Sequence, residues 1–245
     1  MNRRPSSKLL ALFGFMLLAS TSRAAEGTPL HIVIVGDSTV ADYPAEHANR
    51  GWGQYIEERF KPGTVKVTNL AKPGRSTKSF IAEGLWKKAI GEKPNCVLIQ
   101  FGHNDSHAPD KPEATDAATD YKDFLRRYID ESRAIAATPI LITPMVRRTF
   151  DAAGKITEAQ PPPNRALGSY AKAMKEVAAE KKVAIIDLYT SSKTLAEKLG
   201  PQASSELANK QGDATHFNEK GARAMANLIM QELPAVEPEL KKLLK

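Results

Sequence analysis

The chain carries one cysteine and two tryptophans in 245 residues, and aromatics make up only 7% of it. With Cys96 alone, no intramolecular disulfide can form, so the fold must rest on a packed core. Cys96 opens the apolar run Cys96-Val97-Leu98-Ile99-Gln100-Phe101, where a thiol acts as a small hydrophobe. A nucleophilic thiolate would need an electropositive, partly open setting instead. Several chemistry-bearing patterns are also missing: C-x-x-C, H-E-x-x-H, the phosphate-binding G-x-x-x-x-G-K-S/T loop and the G-x-S-x-G elbow. No metal role is expected for the scattered Asp and His residues, because no ligand set has the spacing of a site.

No apolar run reaches the roughly 20 residues that span a bilayer; Leu9–Leu18 is about half that length. It follows Arg3, Arg4 and Lys8 and precedes Ser22-Arg23-Ala24, which is the layout of a cleavable export signal. A retained N-terminal anchor is the alternative. Residues 1–24 are therefore expected to be a signal peptide, residues 25–245 one domain, and the protein secreted or periplasmic, with no stable membrane span after removal. Losing the four basic leader residues takes the formal charge from +7 to +3 and leaves 221 residues. Basic residues then cluster at Lys241-Lys242 and Lys245, and no nucleic-acid module accompanies them, so no nucleic-acid partner is expected.

Strand-like and helix-like segments alternate along the rest of the chain. His31–Val35, Val65–Thr68, Cys96–Phe101, Pro139–Thr143 and Val183–Leu188 read as buried strands: they are short, apolar and rich in β-branched residues. Helical patterns occupy Gly53–Phe60, Ser79–Ile90, Asp120–Ala137, Arg165–Lys181 and about Glu219–Leu233. The segments 107–118 and 144–164 read as loops, the second interrupted by Gly154 and Pro161-Pro162-Pro163. A loop that long in a compact domain is a candidate rim of a binding site. Strand, crossover, strand, repeated without an internal repeat, predicts an α/β fold: a three-layer α/β/α sandwich around a central, mostly parallel five-stranded sheet.

Polar clusters fall where these strands stop. Gly36-Asp37-Ser38-Thr39 follows the first strand, Asn69–Ser76 the second and Gly102-His103-Asn104-Asp105 the third; Asp213-Ala214-Thr215-His216 precedes the last helix. Parallel strands bring such points to one edge of the sheet, where ligands bind. Ser38 can serve as a nucleophile there, or as a turn or N-cap residue. A serine nucleophile needs a base, and five histidines are available. His31 begins a strand, and His47 and His107 lie in polar, loop-like sequence. His216 stands three residues after Asp213, a spacing that lets a carboxylate fold back onto one imidazole nitrogen. The alternative makes Asp213 a cap for the helix starting near Asn218. Acyl transfer also requires donors for an oxyanion; Ser38 and Gly74 offer backbone N–H groups and Asn104 a side-chain N–H. Turn formation is the other use of Gly74 and Asn104.

Taken together, the four segments resemble the SGNH (GDSL-type) hydrolase superfamily, whose blocks carry Ser in G-D-S, a Gly, Asn in G-x-N-D and a late D-x-x-H. Gly51-Trp52-Gly53-Gln54, Gly74-Arg75-Ser76-Thr77, Gln100 to Asp105, Thr143 to Arg148 and Asp213 to Asn218 further resemble its rhamnogalacturonan acetylesterase branch. That resemblance implies a serine esterase with Ser38 as nucleophile, His216 as base and Asp213 as its orienter. Ser38, Gly74 and Asn104 would form the oxyanion hole, and no cofactor is implied. The implied substrate is an O-acetylated plant cell-wall polysaccharide, foremost the rhamnogalacturonan of pectin. Esterases of the same fold acting on acetylated xylan or on lipid esters, and a glycan-binding protein without catalysis, are the alternatives. Pectic backbones carry carboxylates, so Arg75, Lys78, Arg147 and Arg148 are expected substrate partners. Nothing in the chain demands an oligomer, and a monomer is expected.

Overall fold

A computed structural model describes residues 28–158 and 166–245. The expected signal segment, 1–24, and the triple proline, 161–163, lie outside the described residues. Five strands form one parallel sheet: β1 (Leu30–Gly36), β2 (Val65–Asn69), β3 (Cys96–Gln100), β4 (Thr138–Ile142) and β5 (Ala184–Ile186), in the order β2-β1-β3-β4-β5. Both faces are covered, which is why the strands read as unbroken apolar runs rather than as alternations. Val33, Val35, Val97, Ile99 and Leu141 point into one layer; Ile32, Ile34, Leu98, Ile140 and Ile142 point into the other.

The first layer is made by α1 (Thr77–Ala82), α2 (Leu85–Gly91), α3 (Asp120–Ala134) and α4 (Leu167–Lys181). Their core includes Trp86 against Tyr128, and Tyr121 against Tyr170, both edge to face at 4.7 and 4.9 Å between ring centres. The second layer holds α5 (Leu188–Ser205), α6 (Glu219–Val236), α7 (Pro238–Lys241) and two 3₁₀ turns at Trp52–Tyr55 and Glu57–Arg59. There Trp52, Ile56, Met225, Ile229 and Leu233 close over the sheet. Among the described residues, no helix is long and apolar enough to cross a membrane.

The secondary structure differs from the sequence expectation in several places. Gly53–Phe60 forms the two 3₁₀ turns rather than one helix, ending where Phe60 turns extended to bridge Leu244. Ser79–Ile90 is split into α1 and α2 by Gly84, whose φ of 75° is left-handed and breaks the ladder. The fifth strand is shorter than expected because Asp187 caps α5 through the Thr190 N–H, so Leu188 already belongs to a helix. That helix was not expected from the sequence; Gly200 (φ 74°) and Pro201 interrupt its pattern.

The strand order places the site. The chain moves from β1 outward to β2, then crosses back over β1 to β3, so the topological switch lies between β1 and β3. Connections leave that point in opposite directions and open a crevice beyond the carboxyl ends of both strands. The Gly36–Thr39 and Gly102–Asp105 turns emerge there side by side, after residues Gly36 and Gln100, which are register partners.

Candidate active site

Ser38 sits in the first turn after β1, and Asn104 in the turn after β3. Gly36 ends its strand where a Cβ would come within 2.6 Å of Val40 and 2.7 Å of the Gln100 carbonyl; only glycine lets the two turns approach this closely. His216 lies in the irregular stretch before α6, whose N-cap is Asn218: its side chain accepts the Gly221 N–H. The cap position is therefore filled, and Asp213 is free for another use. The loop is tied to the segment after β1 by an isolated antiparallel bridge between Phe217 and Arg50.

These remote residues meet. The Ser38 Oγ lies 2.9 Å from His216 Nε2, and His216 Nδ1 lies 3.0 Å from Asp213 Oδ2. A carboxylate can only accept, so Nδ1 carries the ring proton and Nε2 is left to accept the Ser38 hydroxyl. The other Asp213 oxygen takes the backbone N–H groups of Thr215 and His216, each at 2.8 Å. Burial works to raise the Asp213 carboxyl, but these bonds from His216 and Thr215 and the imidazole's charge outweigh it and hold the group below the ordinary carboxylate value. A hydroxyl, an imidazole and a carboxylate so arranged can pass a proton during attack on a carbonyl.

The three residues expected to supply donors share one cleft, which holds about 480 Å³ and is lined by Ser38, Tyr43, Gly74, Asn104, Arg147 and His216 among others. Gly74, which lines the cleft, adopts φ 79°, a left-handed conformation open to glycine. Among the described residues, neither the Ser38 nor the Gly74 backbone N–H has a protein acceptor. Asn104 donates one amide N–H to the Arg75 carbonyl at 2.9 Å, which fixes the side chain and leaves its second N–H for the cleft. The Tyr43 hydroxyl donates to the Ser38 carbonyl at 2.8 Å, and its ring stacks on His47 at 4.7 Å to form one wall.

Of the four basic residues expected to meet substrate, the fold brings one into the cleft. Arg147 lines it, donating through Nη2 to the His103 carbonyl and to the Ser106 hydroxyl. Arg75 instead pairs with Glu83 and the Pro73 carbonyl, and Lys78 reaches the Ala114 carbonyl. Arg148 turns behind the site: it donates to the Asp213 and His216 carbonyls and lies over the Phe217 ring at 4.3 Å. Burial pushes its guanidinium down to about 10. Arg148 thus braces the turn that carries the imidazole, and its distance from the opening comes from its place on the loop, which residue type alone does not disclose.

Sequence reasoning did not single out Asp37 and His103. Both are almost fully buried, and their side chains meet at 3.3 Å beneath Ser38. The signal was present in the pairing of the two motifs that contain them. A second cleft, of about 500 Å³, lies along the β2 edge around Glu57, Lys61 and Lys245, away from all of these groups.

Comparison with known proteins gives the family of the chain. Residues 34–224 match the GDSL-like Lipase/Acylhydrolase family. Rhamnogalacturonan acetylesterase RhgT of Bacillus subtilis (strain 168) is 38% identical over 229 residues, covering 87% of this chain and 93% of that protein. Probable rhamnogalacturonan acetylesterase YesY of the same organism is 33% identical, covering 86% and 98%. The crystal structure of B. subtilis YxiM superposes with a TM-score of 0.72 at 30% identity, over 85% of this chain and 57% of that longer one. The chain belongs to the GDSL-type (SGNH) family of ester hydrolases, on the branch that includes the rhamnogalacturonan acetylesterases.

Proposed function

We propose that the protein removes O-acetyl groups from the rhamnogalacturonan of plant cell walls, through an acetyl-enzyme on Ser38. The observation that carries this reading is the unbroken chain Ser38–His216–Asp213, at 2.9 and 3.0 Å, beside three convergent donors. His216 Nε2 takes the hydroxyl proton as Ser38 Oγ bonds to the acetyl carbon. The carbonyl oxygen becomes an anion facing the N–H groups of Ser38, Gly74 and Asn104, a type of contact whose loss costs about 3–4 kcal/mol per donor. The tetrahedral species collapses by breaking the ester C–O bond, and the sugar oxygen leaves with the proton held by His216. Water then gives its proton to His216, attacks the acetyl-serine and releases acetate, returning the proton to Ser38.

The substrate assignment draws on the names of the curated relatives and on Arg147. Its guanidinium lines the cleft, where its hydrogen-bond partners among the described residues are the His103 carbonyl and the Ser106 hydroxyl and no carboxylate. Burial presses its pKa down against the opposing pull of the Glu158 and Asp37 charges, so an incoming carboxylate such as that of galacturonate would add a direct partner to a buried guanidinium. The leader at residues 1–24 supports action outside the cytoplasm, where such a polymer is met. The test is acetate release from acetylated rhamnogalacturonan oligosaccharides, acetylated xylo-oligosaccharides and long-chain acyl esters, with wild type and Arg147→Gln. A preference for the pectic substrate that the variant loses, with each rate divided by the same protein's rate on 4-nitrophenyl acetate, is expected. Equal or better activity on the xylan fragments would overturn the assignment.

A further inference from the structure

Beneath the nucleophile lies a pair of buried ionisable groups that the proposed reaction does not use. Asp37 is 0% exposed and His103 3%. The His103 ring is held at both nitrogens, with Nε2 3.1 Å from the Met145 carbonyl and Nδ1 3.3 Å from Asp37 Oδ2. A carbonyl oxygen can only accept, so Nε2 carries a proton. The second contact then requires one more proton between Nδ1 and Oδ2. Asp37 Oδ1 is occupied by the Thr39 N–H at 2.8 Å and the Thr39 hydroxyl at 2.7 Å. Thr39 in turn accepts from Gln100 Nε2 at 3.0 Å, and the Gln100 carbonyl accepts from the Trp52 indole at 2.7 Å.

The placement of this pair in the chain is informative. Asp37 immediately precedes the nucleophile, and His103 immediately precedes Asn104. The bond between them therefore joins the turn after β1 to the turn after β3, and through Met145 to the segment after β4 that carries Arg147. Arg147 closes the same arrangement from the opening, through the His103 carbonyl.

We infer that Asp37 and His103 form a positioning clamp that sets the distance between the Ser38 nucleophile and the Asn104 oxyanion donor. The clamp touches no reacting atom. It acts by holding two separate turns in register, and a displacement of about 1 Å between such groups can cost about a hundredfold in rate. This inference rests on the nucleophile and donor assigned above, and wild-type acetate release serves as the control for that reading.

Amide replacements test the clamp with little change of volume. In His103→Gln, one end of the amide must face the Met145 carbonyl and the other the Asp37 carboxylate. Both neighbours accept, so the amide oxygen clashes with one of them whichever way it turns. Asp37→Asn added to that variant supplies the missing donor, since its N–H can reach the glutamine oxygen while its own oxygen keeps the Thr39 bonds. In Asp37→Asn alone, the amide donates to Nδ1 of a neutral His103 that still holds Met145. With 4-nitrophenyl acetate, and kcat expressed per folded protein by circular dichroism, His103→Gln is expected to lose about a hundredfold in kcat with KM little changed. The double variant should regain about tenfold, and Asp37→Asn alone should stay within about tenfold of wild type. A double variant no faster than His103→Gln, a loss confined to KM, or a hundredfold loss in Asp37→Asn would overturn the inference. Should His103→Gln fail to fold, the Asp37→Asn result decides alone.

Discussion

Replacing Asp213 by Asn separates the shape of the site from its proton chemistry. Asp213 makes three bonds: Oδ1 accepts the Thr215 and His216 backbone N–H groups at 2.8 Å each, and Oδ2 accepts the imidazole Nδ1–H at 3.0 Å. An asparagine oxygen can keep the two backbone bonds, so the turn should hold its shape. Its amide N–H then faces Nδ1, which must accept, and the ring proton moves to Nε2. The imidazole now presents a donor to Ser38 Oγ, 2.9 Å away, and can no longer take its proton. The same change in a serine protease lowers kcat about 10⁴-fold, which is about 5.5 kcal/mol of barrier. The Asp213 carboxyl is held below its ordinary value, so its contribution to stability is present above the usual carboxylate range and is lost as pH falls through the folded value. The variant should therefore melt slightly lower than wild type near neutrality, with the gap closing in acid. Steady-state hydrolysis of 4-nitrophenyl acetate, paired with thermal melts across pH, measures both effects. A fall in kcat of less than tenfold in a folded variant would refute the reasoning.

Two further outcomes follow from buried positions near the site. Burial pushes the Asp105 carboxyl up to about 7, aided by the Asp37 charge and opposed by bonds from Thr77 and Thr115. A folded value above the unfolded one gives stability that is full below the ordinary carboxylate range and is lost as pH rises through about 7. Wild type should melt progressively lower from about pH 5 to about pH 8, and Asp105→Asn should remove that decline; parallel melting curves for the two proteins would contradict the assignment. Gly102 adopts φ 142°, and a Cβ there would meet the Pro144 ring at 2.7 Å. Strain of that kind costs about 1–3 kcal/mol, so Gly102→Ala should lower the melting temperature by roughly 2–12 °C and slow acetate release; an unchanged melt would show that the turn adapts freely.

The sheet was legible because strands buried on both faces leave continuous apolar runs, and the observed bounds of β1, β2 and β3 differ from those read by no more than one residue. The site was legible for a related reason. Parallel topology converts polar clusters at strand ends into neighbours, so Ser38, Asn104, Asp213 and His216 could be grouped before any distance was known. Helix α5 escaped because Gly200 and Pro201 break its pattern and its buried face is built largely from Ser192, Ala196 and Ser204 rather than from long apolar residues. The arginines show another limit. Arg147 and Arg148 are adjacent in sequence, yet one lines the cleft and the other donates to the Asp213 and His216 carbonyls on the turn that carries the imidazole. The clamp between Asp37 and His103 depends on which nitrogen faces which oxygen, and no spacing rule encodes that.

Covalent labelling addresses the nucleophile most directly. Treatment with the serine-directed reagent diethyl 4-nitrophenyl phosphate, followed by peptide mass mapping, should place one diethylphosphoryl group on Ser38 with 4-nitrophenol released. Acetate release should fall in proportion to labelling, and His216→Ala should label far more slowly. Complete inactivation with the adduct on another residue, or undiminished acetate release from a protein fully labelled at Ser38, would contradict the account.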